Sequence, residues 1–262
     1  MNPATDTSPT TFSSELEDRV KAMYRAVALY PETDFHFEMG REMAERLGYQ
    51  TQDLDRIPVE SIQSFAGVGY HFSLLDLQEN QRVVDLGSGS GMDTFISSIK
   101  VGNSGKVVGI DMTDEQRQKA IQLRDTGGFY NVSYKKAYIE KTHLPTEYFD
   151  AVISNGVVNL SAEKHSVFNE AYRLLRSGGK LALSDIVTET TLPKNITCDA
   201  TLWAACIGGA MQQNEYISTI ENAGFRVVEV RDNPEYHFIS DGASWATKTY
   251  GVKSISLLAI KE

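Results

Sequence analysis

Cysteine is almost absent from this chain: two residues in 262, Cys198 and Cys206. That excludes a disulfide framework and fits a reducing compartment. If both lie on one helix, roughly 12 Å of rise separates them, too far to bridge. Long apolar runs are also lacking, and none approaches the eighteen residues of a membrane span. Positive charge is in deficit, with 25 Lys and Arg against 35 Asp and Glu and a net charge of -10. Such a balance argues against a phosphate backbone as partner. The five histidines show no metal-ligand spacing, so no metal site is expected. Residues 1–14 are polar, with neither a basic start nor an apolar run; they are expected as a mobile tail and not a signal peptide. Together these absences predict a cytoplasmic protein, monomer or homodimer, that meets neither nucleic acid nor membrane.

What is present is a core and one dense motif. Hydrophobic residues make up 41% of the chain, ample for one large domain or a domain with a cap. The motif is Val83-Val84-Asp85-Leu86-Gly87-Ser88-Gly89-Ser90-Gly91-Met92-Asp93. Two β-branched residues read as a buried strand; an acid, three alternate glycines and a helix start follow. The dinucleotide pattern needs a small residue where Met92 stands, and the phosphate-loop pattern needs Gly-Lys-Ser/Thr where Gly91-Met92-Asp93 stands. A carboxylate at Asp85 would repel a pyrophosphate. It suits a cationic ligand carrying an α-amino group and a sulfonium, which describes S-adenosylmethionine (SAM). About twenty residues on, Asp111 ends the next strand, where an acid can accept both ribose hydroxyls. The bland alternative is a tight turn kept for packing.

From residue 82 the rhythm alternates. Strands are predicted at 82–86, 106–110, 132–136, 150–154, 180–186, 225–231 and 252–260, and helices at 92–99, 114–124 and 162–175. Alternation of this kind implies an α/β fold with a doubly wound, mostly parallel sheet, whose ligands lie at the carboxyl ends of the strands. Ahead of it, Ser14-Glu15-Leu16-Glu17 reads as a capping box opening a helix. A second helix is expected from Phe37 to Leu47, and Pro58 opens a short helical piece. Residues 15–75 are thus expected as a helical lid and 76–262 as the ligand-binding domain. Within the latter, 191–223 reads as a helical cap over the acceptor side. Thr113-Asp114-Glu115-Gln116 reads as a second capping box.

The chain resembles class I SAM-dependent methyltransferases, with a Rossmann-like seven-stranded sheet, over residues 80–190. Asp85-Leu86-Gly87-Ser88-Gly89, Gly109-Ile110-Asp111-Met112-Thr113, Ile153-Ser154-Asn155 with Val158-Asn159-Leu160, Ser184-Asp185 and Cys206-Ile207-x-Gly209-Ala210 look like the arsenite methyltransferase group in particular. The resemblance implies SAM as cofactor and assigns roles by position. Gly87, Ser88 and Gly89 would line the methionine moiety, with Asp85 near its amino group. Asp111 and Met112 would hold the ribose and the adenine edge, Ile139 and Glu140 would border the adenine, and Ser154 and Asn155 would close the site. The chain departs from the group in its thiols. Gly156 stands where that group has a cysteine after Ser-Asn, and the Gly-rich segment Ser64–Phe72 has none. One thiol at Cys206 cannot chelate trivalent arsenic, which takes two or three converging thiolates.

In-line methyl transfer needs alignment and exclusion of water. Tyr24, Phe65, Tyr70, Phe72 and Trp203 are candidate rings for a dry pocket, with Tyr24 closing over SAM and Tyr70 placed with the catalytic set; each ring is equally readable as core. His71 is the candidate base, His237 a weaker one, and Cys206 a candidate acceptor-side residue. The expected function is methylation of a small soft nucleophile: a thiol or sulfide, a selenium or an arsenic species. O- or C-methylation of a small metabolite, arsenite methylation with a reduced cysteine set, and a non-catalytic SAM-binding sensor or subunit stay open.

Overall fold

A computed structural model describes residues 9–197 and 207–262. Four helices come first: α1 (Pro9–Leu29), α2 (Arg41–Leu47), α3 (Thr51–Leu54) and α4 (Val59–Gln63). The alternating part follows as β1 (Arg82–Leu86), α5 (Met92–Val101), β2 (Lys106–Asp111), α6 (Asp114–Gly127), β3 (Val132–Lys136), β4 (Phe149–Asn155), α7 (Lys164–Leu174) and β5 (Leu175–Thr188). After it come α8 (Lys194–Thr197), β6 (Met211–Gln212), α9 (Gln213–Asn222), β7 (Phe225–Asp232), α10 (Asp241–Tyr250) and β8 (Lys253–Lys261).

The strands form one sheet in the order β3-β2-β1-β4-β5-β8-β7, with β6 pairing β5 off this path. All pairs are parallel except those of β8, which runs antiparallel to β5 and β7. Val83 and Val84 of β1 are fully buried between β2 and β4. Each such side chain contributes about 1.5–3 kcal/mol by leaving water. The order reverses between β1 and β4, and a ligand crevice opens at that switch point. Apolar side chains cover both faces: Phe95, Ile96 and Val101 of α5 on one, Val167, Phe168, Ala171 and Leu174 of α7 on the other.

Four boundaries differ from the sequence reading. α1 begins at Pro9, so the Ser14-to-Glu17 box lies inside the helix and part of the expected tail is helical. At α6, Thr113 occupies the N-cap position without a side-chain cap bond; Gln116 reaches Ser90 and the Tyr24 carbonyl instead. Of the span 191–223, expected as a helical cap, residues 198–206 lie outside the described residues. Its last part, α9, packs on the sheet face through Tyr216 and Ile220, both fully buried, because these i, i+4 residues form an apolar stripe that meets α7 and β7. Between β7 and β8, where the sequence reading places no element, lies α10. No helix among the described residues is long and apolar enough to cross a membrane.

Candidate active site

The glycine turn is built by sterics. Gly87 has φ +76° and Gly91 φ +99°, a region other residues enter only at a cost. At Gly87 a Cβ would also lie 2.3 Å from a methyl of Val157, and at Gly91 2.2 Å from the Tyr134 hydroxyl. The turn is therefore pressed from above by the loop after β4 and from below by β3. Asp111 staples its far side. Its Oδ2 accepts the Gly89 N–H (2.9 Å) and its Oδ1 the Thr113 N–H (2.7 Å). The Thr113 side chain adds a further bond to this carboxylate, which still keeps acceptor capacity for a ligand.

A cleft with a volume of about 220 Å³, partly open to solvent, lies over this turn. Helix α1 roofs it with Leu16, Val20 and Tyr24. The roof is tied down where Gln116 Nε2 donates to the Tyr24 carbonyl and Lys119 Nζ to the Ala28 carbonyl. Glu17, Asp85, Asp93, Asp111, Glu140 and Glu163 line the cleft, and no Lys, Arg or His does so among the described residues. Burial raises the Asp85 carboxyl well above its usual range, and the Asp93 charge raises it further. Thr94 Oγ1 donates to Asp85 Oδ2 at 2.6 Å and offsets part of this. Burial also lifts Asp111, against the two backbone N–H groups, and lifts Asp93 to about 6. Anionic groups held in this way lack a positive counterpart, and a cationic, phosphate-free nucleoside supplies one.

Most of the residues expected to hold the cofactor come together here: Tyr24, Asp85, Gly87, Ser88, Gly89, Asp111, Met112, Ile139, Glu140 and Asn155 all line the cleft. Ser154 does not. It is buried, and its Oγ donates to the Leu86 carbonyl (2.9 Å), so it joins β4 to β1. Asn155 lines the cleft with its side chain already engaged. Its Oδ1 accepts Val68 N–H, and its Nδ2 faces the Gly69 carbonyl, Tyr49 Oη and Asp93 Oδ2. It clasps the 65–70 segment to the sheet.

The expected catalytic set is not gathered. His71 lies outside the cleft lining, fully buried, and burial pushes its imidazole down to about 3. A base needs reach before it needs a suitable pKa, and this ring has neither. Tyr70 packs edge-on to Tyr49 (4.7 Å) behind the cleft wall. Of the other rings, Phe65 lines the cleft, while Phe72 belongs to the core. His237 is exposed. Cys198, Trp203 and Cys206 lie outside the described residues. Sequence reasoning passed over Asp93 and Tyr49. An acid in a first helical turn reads as a dipole partner, and the bond to Tyr49 spans 44 residues of chain.

Residues 77–224 match the family model described as a methyltransferase domain. The chain belongs to the methyltransferase domain family. Among curated relatives, an arsenite methyltransferase of Halobacterium salinarum is 35% identical over 199 residues, covering 76% of this chain and 51% of that protein. The human arsenite methyltransferase is 41% identical over 156 residues, covering 56% of this chain and 42% of that protein. The chain thus spans about half the length of these relatives. Among solved structures, an arsenic(III) S-adenosylmethionine methyltransferase from Chlamydomonas reinhardtii aligns with TM-score 0.64 and 27% identity, over 86% of this chain and 75% of that one. A geranyl diphosphate C-methyltransferase from Streptomyces coelicolor, bound to S-adenosyl-L-homocysteine, shares the fold at TM-score 0.70 and 14% identity, over 99% of this chain and 100% of that one. For this methyltransferase-domain protein the cofactor is SAM, and the acid-lined cleft suits its positive charge.

Proposed function

We propose that the protein methylates a small molecule at a soft atom (sulfur, selenium or trivalent arsenic) with SAM as donor. The observation that carries this reading is the cleft itself: acid-lined, partly apolar and without a basic side chain among the described residues. When bound, SAM supplies a methyl group on a positively charged sulfur. The chain's part is to hold, align and keep water away. Asp85, Gly87, Ser88 and Gly89 would grip the methionine end, Asp111 and Met112 the ribose, and Ile139 and Glu140 the adenine, with Tyr24 closing the roof. Trivalent arsenic presents its own lone pair and needs no base, and thiols and selenols ionise close enough to working pH to need none from the chain. Phenols and carbon acids need a proton removed, and His71 is out of reach.

Similarity to arsenite methyltransferases supports the soft-atom class. Gly156 bears on how arsenic would be carried. Its φ is +72°, and a Cβ would stand 3.2 Å from a Val68 methyl, so a cysteine there would be strained. The chain has only Cys198 and Cys206, which on one helix would stand roughly 12 Å apart and would not converge on one arsenic. Arsenic would therefore arrive already bound to small thiols. The acid excess, with 35 acidic against 25 basic residues, agrees with a small-molecule acceptor in the cytoplasm and not a nucleic acid.

The test offers SAM together with thiols, sulfide, reduced selenium species and arsenite plus a small thiol, and follows S-adenosylhomocysteine. Turnover on a member of this set is expected. Turnover confined to phenols or carbon acids overturns the soft-atom reading.

A further inference from the structure

One wall of the cleft carries a buried polar network that no motif marks. Asp93 opens α5 just after the glycine turn, lines the cleft and is 5% exposed. Tyr49 Oη donates to its Oδ1 (2.6 Å) and Asn155 Nδ2 to its Oδ2 (3.1 Å). Tyr49 is held in turn by rings, edge-on to Phe65 at 5.2 Å and to Tyr70 at 4.7 Å. Each Asp93 oxygen accepts one bond here and retains a further acceptor position.

Neither donor is a cation. A carboxylate so buried is costly unless a positive group meets it, and the described lining residues offer none. The three central acids are spread along the cleft. Asp111 stands with Met112 and Thr113 on the α1 and α6 side, while Asp93 stands with Asn155 beneath the 65–70 segment. SAM is asymmetric in the same way. Its nucleoside end is neutral, and its methionine end carries the sulfonium and the α-ammonium, both positive, beside one α-carboxylate. We propose that Asp93 is a cofactor-binding residue that meets the positive charge of the methionine end, and that Tyr49 is its positioning residue. This rests on SAM as the ligand and is independent of which acceptor is methylated.

A pH signature follows. Burial lifts the free carboxyl to about 6, while the bonds from Tyr49 and Asn155 hold it down. The titratable groups facing it are Asp85 from β1, Tyr49 from the turn before α3, and Tyr70 from the segment after α4. Both tyrosines are raised by burial and stay neutral, and burial raises Asp85 well above the usual carboxylate range as well, so that an ionised Asp93 opposes the ionisation of Asp85. Affinity for a cation requires ionised Asp93 and therefore falls as pH drops through about 6.

Calorimetric titration of the full chain with SAM and with S-adenosylhomocysteine, from pH 5 to 8, tests this in wild type, Asp93→Asn and Tyr49→Phe. Losing one charge-assisted contact weakens binding roughly ten- to a hundredfold. In Asp93→Asn, SAM affinity is expected to fall by that factor near neutral pH and to lose its slope around pH 6. If S-adenosylhomocysteine keeps its affinity, the sulfonium is the partner; if both weaken alike, it is the ammonium. Tyr49→Phe keeps the charge but lets the carboxyl rise, so its affinity should fall off at higher pH than wild type. That shift decides the matter even if Asp93→Asn does not fold. Unchanged affinity for both ligands in folded Asp93→Asn, or a Tyr49→Phe profile lying on the wild-type one, overturns the proposal.

Discussion

His71 gives the sharpest test of how the lid segment is built. The ring is fully buried in a short turn packed against β5 and β8, and neither nitrogen has a hydrogen-bond partner among the described residues. Burial takes its pKa from 6.5 to about 3. The folded protein therefore keeps it neutral, while the unfolded chain takes up a proton as pH falls through 6.5. Wherever the unfolded state binds more protons, stability rises with pH. This contribution is complete above about pH 6.5 and is lost progressively toward pH 3. At pH 5 the loss is about 2 kcal/mol, from 1.5 pH units at about 1.4 kcal/mol each. Asp93 and Asp185, both raised to about 6, act in the opposite sense, since their unfolded forms ionise first. Comparison with His71→Leu cancels those terms. The variant removes two unpaired polar atoms and should be about 1 kcal/mol more stable than wild type at pH 8. The gap should widen to about 3 kcal/mol at pH 5. Urea unfolding of both proteins at the two pH values measures it. A gap that stays constant would refute the reasoning, because it would mean that the ring protonates in place. SAM binding and methyl transfer should survive the substitution; their loss in a folded variant would restore the base role.

Gly87→Ala places a methyl against Val157 at a φ of +76°. It should weaken SAM binding at least about tenfold and cost about 2 kcal/mol of stability. Val157→Ala in the same chain should recover part of both, read by calorimetry and thermal melting. Tyr216→Phe strips the 2.7 Å bond from Asp185 Oδ2. It should cost about 1–3 kcal/mol in urea unfolding, more at pH 8 than at pH 5, because the unpaired Asp185 then resists ionisation further.

The alternation of strands and helices was plain in the sequence because a parallel sheet buried on both faces demands apolar runs of strand length. Val83-Val84, Val107-Val108 and Val152-Ile153 are such runs, and all three fall in strands. The cofactor end of the cleft was legible for a related reason. Glycines and acids at Asp85 through Gly91 and at Asp111 follow their strands directly, so chain order places them at the carboxyl ends. The lid was harder. Its packing is set by contacts such as Asn155 to Val68, which are 87 residues apart. His71 and Tyr70 sit among aromatics in sequence and face inward in space, and periodicity in so short a turn does not say which way a ring points.

The same distinction explains the loop after β4, which closes the cleft opposite α1. Val157, Leu160, Ser161 and Glu163 reach the cleft, yet what fixes them lies behind. Lys164 Nζ donates to the carbonyls of Asn159 (3.1 Å) and Ser161 (2.8 Å). Burial lowers that ammonium to about 8, opposed by the charges of Asp185 and Glu140. Asp185 accepts Tyr216 Oη from α9 and the backbone N–H groups of Ile186 and Asn159. A buried cation and a buried anion thus both grip the loop at Asn159, while Val157, two residues earlier, lies against Gly87. Ser184-Asp185 was visible in sequence only as a point of likeness to arsenite methyltransferases. In the fold, Asp185 joins α9 to the loop after β4. A chain of contacts thus runs from Tyr216 of α9 through Asp185 and Asn159 to Val157, which lies over Gly87, 129 positions before Tyr216 in the sequence.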